Sequence, residues 1–549
     1  MSSVPASSSP ASPAGPVPRP PPGAFGSCWR PAVLAAVALA ACLSYAALAR
    51  TASDGGLPLD DGWIHLTFAR SLAAGEGMSY RDGQWVSGST APLWTALLAL
   101  GFLLPAGAGA PLLWAKLLGT ACYVAACLAT VRLGATLGLR AGFAWLAGLL
   151  LALTDWMVWG ALSGMEIPLF VLLTTWGLEL QARPSQGRAT AGAGWALPVL
   201  GLASLVRPEG LLLLGLAVAD GSLRLEPRAG GELEVSLRRA RSLVRPLLVA
   251  LLALAPFALF SWLAGGSALP TTFDAKLEGG FKWRPALRDL WLAAEILFRP
   301  QPWAFLLAGA GAASLVRRAA RRRAGSVLPL LWLLLLPCAY SMLAPAGRPM
   351  PVGNFGRYLF PLYPALIVLG MLGAQSLGRA ARVPWRWRGS RLPVPQAAVA
   401  LLLLPSLAAT LGGASRYARN VANVEESDVR AGRWIAAHVP PEAPLGVQDV
   451  GAIGYLAPNP LVDLVGIVTP EILARSPHGG PPLARGLRGL AEAVRARDVE
   501  LLVVFPESYG GEEMLARFFP GLRAVQRFPI ADNITMAGRE LVIYALPGA

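Results

Sequence analysis

Residues 57–77 read LPLDDGWIHLTFARSLAAGEG, and they place two adjacent carboxylates, Asp60 and Asp61, about eleven residues beyond the first apolar run of the chain. Charges at the edge of a bilayer are costly, so they are candidates for function by default. The residues that follow have the spacing of an amphipathic helix. The stretch therefore predicts an external helix at a membrane surface, with the acid pair at its start.

The composition is that of a polytopic membrane protein. Of 549 residues, 54% are hydrophobic and 14% are charged, whereas soluble domains carry about 25% charged residues. The mean hydropathy is +0.51. The 47 Lys and Arg outnumber 32 Asp and Glu, but most arginines lie in short loops between apolar runs, as membrane topology favours. We therefore expect no nucleic-acid partner.

Apolar segments long enough to suggest membrane helices recur along residues 31–412. We predict about eleven spans, at 31–49, 111–130, 142–160, 166–182, 193–206, 210–220, 247–264, 302–316, 327–344, 359–376 and 396–412. The short segments 193–206 and 210–220 are interpreted as a hairpin of broken or tilted helices, and the alternative is one kinked span. Residues 286–298 resemble an interfacial helix.

The distribution of arginine decides how the ambiguous apolar run 91–104 is interpreted. If this run does not cross the membrane, 22 arginines fall on one side, in the tail and in five loops. The positive-inside rule then predicts a cytoplasmic N-terminus, a large external loop at 50–110 and an external C-terminus. Residues 1–30 are predicted to be a disordered cytoplasmic tail, because they are rich in Pro, Ser, Ala and Gly.

Residues 413–549 have ordinary polarity and are predicted to form an extracytoplasmic α/β domain. Helical periodicity marks 427–439 and 483–497, and short strands are predicted at 445–450, 501–505, 524–528 and 540–545. The fold class is thus a polytopic α-helical membrane protein with a C-terminal α/β domain. The expected location is the inner, or plasma, membrane.

This topology places a set of charged and polar residues on one external face. They are Asp60, Asp61, His65, Arg70, Glu166, Arg207, Glu209, Lys276, Arg357 and Tyr358. Structural alternatives exist for many of them. Asp60, Asp61 or Glu166 can cap the helix that follows it. Arg70 can pair with Glu76 or extend to lipid headgroups, and Arg207 can pair with Glu209.

Carboxylates and cations at the outer bilayer surface suit the transfer of a sugar from a lipid phosphate. The accepting hydroxyl needs a general base, for which Asp60 and Asp61 are the candidates. The departing phosphate gains negative charge, which Arg207, Lys276 and Arg357 would stabilise. A single displacement with inversion needs no covalent nucleophile.

Several stretches resemble GT-C glycosyltransferases, most of all the branch with lipid A aminoarabinose transferases and mycobacterial terminal arabinofuranosyltransferases. Residues 59–70 resemble the first external loop of that branch, and residues 75–78 with 86–94 are similar to the first loop of the arabinofuranosyltransferases. The stretches 163–166, 205–210 and 357–361 resemble recurring family segments, and 447–455 with 462–464 is similar to the C-terminal domains of the arabinofuranosyltransferase-like members.

The resemblance implies a GT-C-like membrane domain at residues 31–412, a polyprenyl-phosphate sugar donor and a glycan or glycolipid acceptor. It implies that Asp60 is the catalytic or acceptor-orienting acid, and that Glu166 stands in the place of a second family acid. His65, Arg70, Glu209 and Tyr358 are predicted to contact substrate. Either no cofactor is required, or a divalent cation binds beside Asp60 and Asp61.

Two other classes of function stay open from the sequence. A transporter or flippase of lipid-linked sugars would need an internal repeat and a charged site at the membrane midplane, and neither is evident. A non-enzymatic envelope scaffold would leave Asp60, Glu166 and Lys276 scattered rather than gathered at one cavity.

Overall fold

The computed structural model describes residues 29–547 except 82, 84, 106, 184–192, 223–224, 228–232, 236, 269–283, 323–325, 344–349, 381–393 and 474–482. Most of the predicted N-terminal tail and the whole segment around Lys276 therefore lie outside the described residues. The first helix begins at Trp29, two residues before the predicted start of the first span.

The N-terminal three quarters of the chain are almost entirely helical. The helices are α1 (Trp29–Ala52), α2 (Asp60–Ala73), α3 (Pro92–Ala99), α4 (Ala110–Thr136), α5 (Ala141–Ala152), α6 (Asp155–Ala161), α7 (Ile167–Ala182), α8 (Ala196–Ser204), α9 (Gly210–Ser222), α10 (Leu237–Gly265), α11 (Leu287–Phe298), α12 (Pro302–Arg322), α13 (Leu328–Leu343), α14 (Tyr363–Ala380) and α15 (Val394–Val424). A short hairpin, β1 (Leu225–Pro227) and β2 (Leu233–Val235), precedes α10, and a 3-10 helix at Met350–Leu362 leads into α14.

Four helices in the described part of the chain are long and apolar enough to cross a bilayer: Trp29–Ala52, Ala110–Thr136, Arg241–Gly265 and Gly356–Arg379. Shorter apolar helices include Pro92–Leu103, Ile167–Ala182, Gly210–Ser222 and Leu328–Leu343. The total of eleven spans stays a prediction. Helix α3 and its 3-10 extension are too short to cross a hydrocarbon core of about 30 Å, which agrees with the interpretation that the run 91–104 does not cross the membrane.

The segment predicted as one span at 142–160 is bent, because α5 and α6 meet at an angle of 62°, as in a broken span or a re-entrant loop. The break lies at Leu153 and Thr154, where the Thr154 hydroxyl donates to the carbonyl of Leu150 at 2.8 Å. The Gln301 side chain donates to the same carbonyl at 3.1 Å and to the Thr154 hydroxyl at 2.9 Å. Side chains that enter the helical hydrogen-bond ladder in this way produce a kink.

The C-terminal region forms a five-stranded sheet with helices around it. Its elements are a π-helix at Glu425–Val429, α16 (Arg430–His438), β3 (Leu445–Val447), α17 (Val450–Leu456), β4 (Leu461–Asp463), α18 (Pro470–Leu473), α19 (Leu483–Arg495), β5 (Leu501–Val504), α20 (Glu512–Phe518), β6 (Arg523–Pro529) and β7 (Glu540–Ala545). The strand order is β4-β3-β5-β7-β6. Strands β3, β4 and β5 are parallel, whereas β7 is antiparallel to both β5 and β6.

Two boundaries in this region differ from the sequence prediction. The strand predicted at 445–450 ends at Val447, and the chain enters α17 at Val450. The predicted domain boundary at 412/413 falls inside α15, which continues unbroken to Val424. Helix α15 therefore runs without interruption from the helical bundle into the α/β domain.

Helix α2 lies between the two parts of the molecule and contributes to both cores. Leu66 and Ala69 belong to the core of the helical bundle. Ile64 and Phe68 belong to the core of the α/β domain, together with Ile453 of α17. Residues four apart share a face of a helix, so α2 presents one apolar face to each core. This packing holds the acid pair at the junction of the two parts.

Candidate active site

Helix α2 begins at Asp60, so the acid pair occupies the first turn of the helix rather than its N-cap. Leu59 holds the N-cap position, with an extended backbone and no capping side-chain hydrogen bond. Acids in the first turn still lie favourably at the positive end of the helix dipole. The idea that either acid caps α2 is therefore wrong, and both carboxylates make other contacts.

The Asp60 carboxylate binds the first turn of α17 in the α/β domain. The backbone N–H groups of Gly451 and Ala452 each donate to it, both at 2.7 Å. The first N–H groups of a helix have no partner within the helix, so a carboxylate from outside satisfies them. Asp60 thus connects helix α2 to the α/β domain.

Two arginines hold the opposite end of α17. Arg70 Nη1 donates to the Tyr455 carbonyl at 2.8 Å, and its guanidinium lies 4.9 Å from the Tyr455 ring centre. Arg81 Nη2 donates to the carbonyls of Gly454 and Ala457 at 2.7 and 2.6 Å. A negative charge at the N-terminus and positive charges at the C-terminus both match the dipole of α17. Arg70 therefore positions the α/β domain, and its predicted alternative partner Glu76 is not used.

The packing of α2 against α17 determines the pKa of the Asp60 carboxyl group. Burial raises the pKa of its carboxyl group to about 7, although the hydrogen bonds from Ala452 and Gly451 favour the charged form. The nearby charges of Asp61 and Asp463 act in the same direction as burial. A carboxylate with a pKa near neutrality is well matched to general-base chemistry.

Two acids that the sequence analysis did not select lie beside Asp60. Asp428 comes from the π-helix and Asp449 directly precedes α17, and burial together with mutual repulsion raises the pKa of both well above the usual value. Neither carboxyl oxygen of Asp428 has a hydrogen-bond partner among the described residues, and the side chain is fully buried. These groups are therefore stable in the fold mainly in protonated form.

Glu166 is the centre of a second, buried group of charges. Arg207 Nη1 donates to it at 2.5 Å, and His65 Nε2 lies 3.0 Å from its other oxygen. Arg207 also holds Glu209, with Nη2 and Oε1 2.9 Å apart, and the Tyr340 hydroxyl donates to Glu209. Glu166 is buried, and the charge of Arg207 compensates for its own.

Arg357 links Asp61 to this group. Its Nη2 forms an ion pair with Asp61, and its Nη1 lies 3.4 Å from the Met165 sulfur. The ring of Tyr358 lies between two cations, 4.8 Å from the Arg207 guanidinium and 5.3 Å from that of Arg357. Asp61 is the most accessible member, with 38% of its side chain exposed.

Most of the residues selected from the sequence thus form one connected group. Its members are Asp61, His65, Glu166, Arg207, Glu209, Arg357 and Tyr358. Asp60 lies next to this group but faces α17, and Arg70 lies at the far end of α17. Lys276, predicted to bind phosphate, falls outside the described residues.

Four residues of this region were missed from the sequence: Arg81, Tyr340, Asp428 and Asp449. Asp449 lies within the stretch 447–455 that resembles the family, and this was the only signal for it. Tyr340 lies in a mainly apolar run, and Asp428 in an ordinary helical pattern. Their partners are distant in the chain, so no local spacing indicates them.

In the part of the chain that the structure describes, no three His, Cys, Asp or Glu side chains are placed to hold a metal ion. Asp60 is held by backbone N–H groups and Asp61 by Arg357, so the two carboxylates have separate partners. With these partners, the carboxylates of Asp60 and Asp61 are not directed at a common metal position.

Comparison with solved structures identifies the architecture. ArnT from Cupriavidus metallidurans bound to undecaprenyl phosphate is similar over 95% of this chain and 99% of its own, with a TM-score of 0.57 and 16% identity. The apo oligosaccharyltransferase of Archaeoglobus fulgidus matches 94% of this chain and 76% of its own, with a TM-score of 0.57 and 13% identity. The chain has a GT-C fold.

The GT-C likeness extends to mycobacterial arabinofuranosyltransferase AftD, in its mutant R1389S form. It covers 94% of this chain and 41% of AftD, with a TM-score of 0.51 and 19% identity. A family model described as a domain of unknown function, DUF8728, matches residues 419–544. No curated protein sequence matches the chain significantly. The GT-C expectation from the sequence is therefore confirmed at the level of the fold.

Proposed function

We propose that this chain is an integral membrane glycosyltransferase that moves a sugar from a polyprenyl-phosphate donor to a glycan or lipid acceptor of the cell envelope. The reaction takes place at the external face of the plasma membrane, where α2 and the α/β domain meet. It inverts the configuration of the anomeric carbon.

One observation carries this proposal: Asp60, with a pKa of about 7, lies beside the Asp61–Arg357 ion pair at the junction of a GT-C membrane domain and its α/β domain. The similarity to ArnT, whose structure holds undecaprenyl phosphate, supports a polyprenyl-phosphate donor. The site therefore supplies a base, Asp60, and a cation, Arg357, which is paired with the adjacent residue Asp61.

The proposed step is a single displacement. An oxygen of the acceptor attacks the anomeric carbon, and its proton passes to a carboxylate oxygen of Asp60. The bond from the anomeric carbon to the phosphate oxygen breaks, and its electron pair leaves with the polyprenyl phosphate. Asp60 returns the proton to solvent before the next cycle.

Arg357 is the strongest candidate for holding the departing phosphate. Its carboxylate partner Asp61 is partly exposed, so a phosphate can take up that position at the cost of one ion pair. Arg207 is already neutralised by Glu166 and Glu209, and in the proposal it keeps Glu166 and Tyr358 in position. Lys276 remains a proposed phosphate ligand from the sequence alone.

The test is transfer by the purified full-length chain in lipid nanodiscs, supplied with a panel of undecaprenyl-phosphate sugars and envelope glycans. Replacing Asp60→Asn is expected to reduce transfer at least about 1,000-fold, within the range associated with loss of a general base. Asp54→Asn is the matched control, because Asp54 lies in the same loop with its side chain 73% exposed. Normal transfer by the Asp60 variant would refute the proposal.

A further inference from the structure

A cleft of about 480 Å³ opens between the first external loop and the α/β domain. One wall is formed by four residues of the loop, Tyr80, Arg81, Trp85 and Val86, and an isolated bridge pairs Ser79 with Trp85. The other wall is the edge strand β4 with the segment that follows it, and Ala264 at the end of α10 closes one side. Ligand clefts commonly measure about 300–1,000 Å³, so the space suits a short oligosaccharide.

Tyr80, which lines this cleft, is linked to Asp60 through the first turn of α17. The Tyr80 hydroxyl donates to the carbonyl of Val450 at 2.6 Å, and the next residue, Gly451, donates its N–H to Asp60. The Asp60 charge also acts on the Tyr80 hydroxyl. The cleft and the proposed base are therefore neighbours that share Tyr80 and the first turn of α17.

The lining offers the chemistry that recognises sugars. Trp85 leaves 58% of its surface exposed, and a flat indole packs against the apolar face of a sugar ring while its polar tip stays wet. Arg497 and Glu471 form an ion pair of 2.8 Å at the rim, with side chains 30% and 57% exposed. Together they present both donors and acceptors to hydroxyl groups.

A lipid headgroup is the alternative occupant, since the Trp85 ring lies 5.9 Å from Phe260 of α10 and Trp is frequent at membrane interfaces. Two features favour a saccharide. Most of the lining comes from the α/β domain, and the Glu471 carboxylate repels the phosphate of an anionic headgroup while it accepts hydrogen bonds from hydroxyl groups.

We propose that this cleft binds the oligosaccharide part of the acceptor, with Trp85 stacked on a sugar ring and the Arg497–Glu471 pair bound to its hydroxyl groups. The inference rests on the proposed glycosyltransferase function and names the chemical class of its acceptor: a saccharide chain longer than one sugar. The α/β domain then selects the acceptor, and the helical bundle holds the donor.

The experiment measures saccharide binding without turnover. The full-length chain in nanodiscs is mixed with malto-, galacto- and arabino-tetrasaccharides in turn, and binding of each is detected by saturation-transfer difference NMR. Trp85→Ala is expected to weaken binding of the preferred tetrasaccharide about tenfold, the factor that corresponds to one aromatic contact. Trp291→Ala is the matched control, because Trp291 is 73% exposed on α11, outside the cleft, and it is expected to change nothing.

Glu471→Gln separates the two occupants, because it keeps the shape of the side chain and removes the charge. It is expected to weaken tetrasaccharide binding several-fold. If it instead strengthens binding of phosphatidylglycerol from the surrounding nanodisc and leaves saccharides unaffected, the cleft binds headgroups and the inference is overturned. It is equally overturned if no tetrasaccharide binds the unaltered chain, or if Trp85→Ala binds as tightly.

The proposed function can fail separately from this inference. Tetrasaccharide binding that depends on Trp85, in a chain that transfers no sugar from any donor, would support the cleft and refute the glycosyltransferase. Transfer that depends on Asp60 but does not change on replacing Trp85 or Glu471 would support the glycosyltransferase and refute the role of the cleft.

Discussion

The backbone N–H of Gly451 donates to the Asp60 carboxylate at 2.7 Å, across 391 positions of sequence. No side chain fits at residue 451, because a Cβ there would lie 2.6 Å from Asp60 Oδ1 and 2.2 Å from its carbonyl oxygen. The α/β domain therefore orients the proposed base through a direct backbone contact.

Gly451→Ala should displace Asp60 or separate α17 from α2. We expect transfer to fall about 100-fold, as a misplacement near 1 Å can cause, and the free energy of unfolding to drop by about 1–3 kcal/mol. Rate measurements and thermal unfolding test both effects. Gly412→Ala is the control, since a Cβ at this helical position meets no neighbouring atom; equal behaviour of the two variants would contradict the role of Gly451.

The pKa of Asp60 predicts how transfer depends on pH. A general base acts only when deprotonated, and burial raises the pKa of Asp60 to about 7. Below that pH, kcat/KM should rise about tenfold per pH unit, and it should level off above it. Steady-state rates between pH 5.5 and 9 test this, and a profile that is flat across pH 7 would count against Asp60 as the base.

The free energy of unfolding should fall as the pH rises, whereas the transfer rate should increase. A carboxyl group with a raised pKa keeps its proton in the folded state at a pH where the unfolded chain has lost it. Asp60, Asp428 and Asp449 all have raised pKa values, so stability is greatest near the ordinary value of about 4 and falls as the pH rises toward 7 and above.

Asp428→Asn should reduce the loss of stability at high pH, because it removes a buried ionisable group that has no hydrogen-bond partner among the described residues. We expect Tm at pH 8 to rise by about 2–4 °C relative to the unaltered chain, with a smaller change at pH 5. Differential scanning calorimetry across this range measures both. Glu442→Gln, an exposed acid of the same domain, is the control, and a pH dependence left intact in Asp428→Asn would contradict the assignment.

Glu166→Gln should be strongly destabilising. It removes the carboxylate that Arg207 and His65 share in a buried site, and breaking a buried ion pair costs about 3–5 kcal/mol. Glu209 still binds Arg207, so we expect the lower end of that range. Glu295→Gln breaks an exposed pair with Arg299 and should cost less than about 1 kcal/mol. Equal losses in denaturant unfolding would show that the buried network contributes no special stability.

The sequence by itself determined the membrane class, the amphipathic helix that carries the acid pair, and most strands of the C-terminal sheet. These features depend on local composition and periodicity, which the order of residues records directly. The turn between α8 and α9, with Arg207 and Glu209, was likewise evident because a short polar interruption separates two apolar runs.

Only the tertiary structure separated Asp60 from Asp61 and gave each its partners. Successive residues of an α-helix point about 100° apart, so Asp60 meets α17 while Asp61 meets Arg357. Tyr340 reaches Glu209 across 131 positions, and Gln301 reaches the broken helix at Leu150 across 151. Such contacts arise from the packing of distant elements, and no local pattern around any one of these residues encodes them.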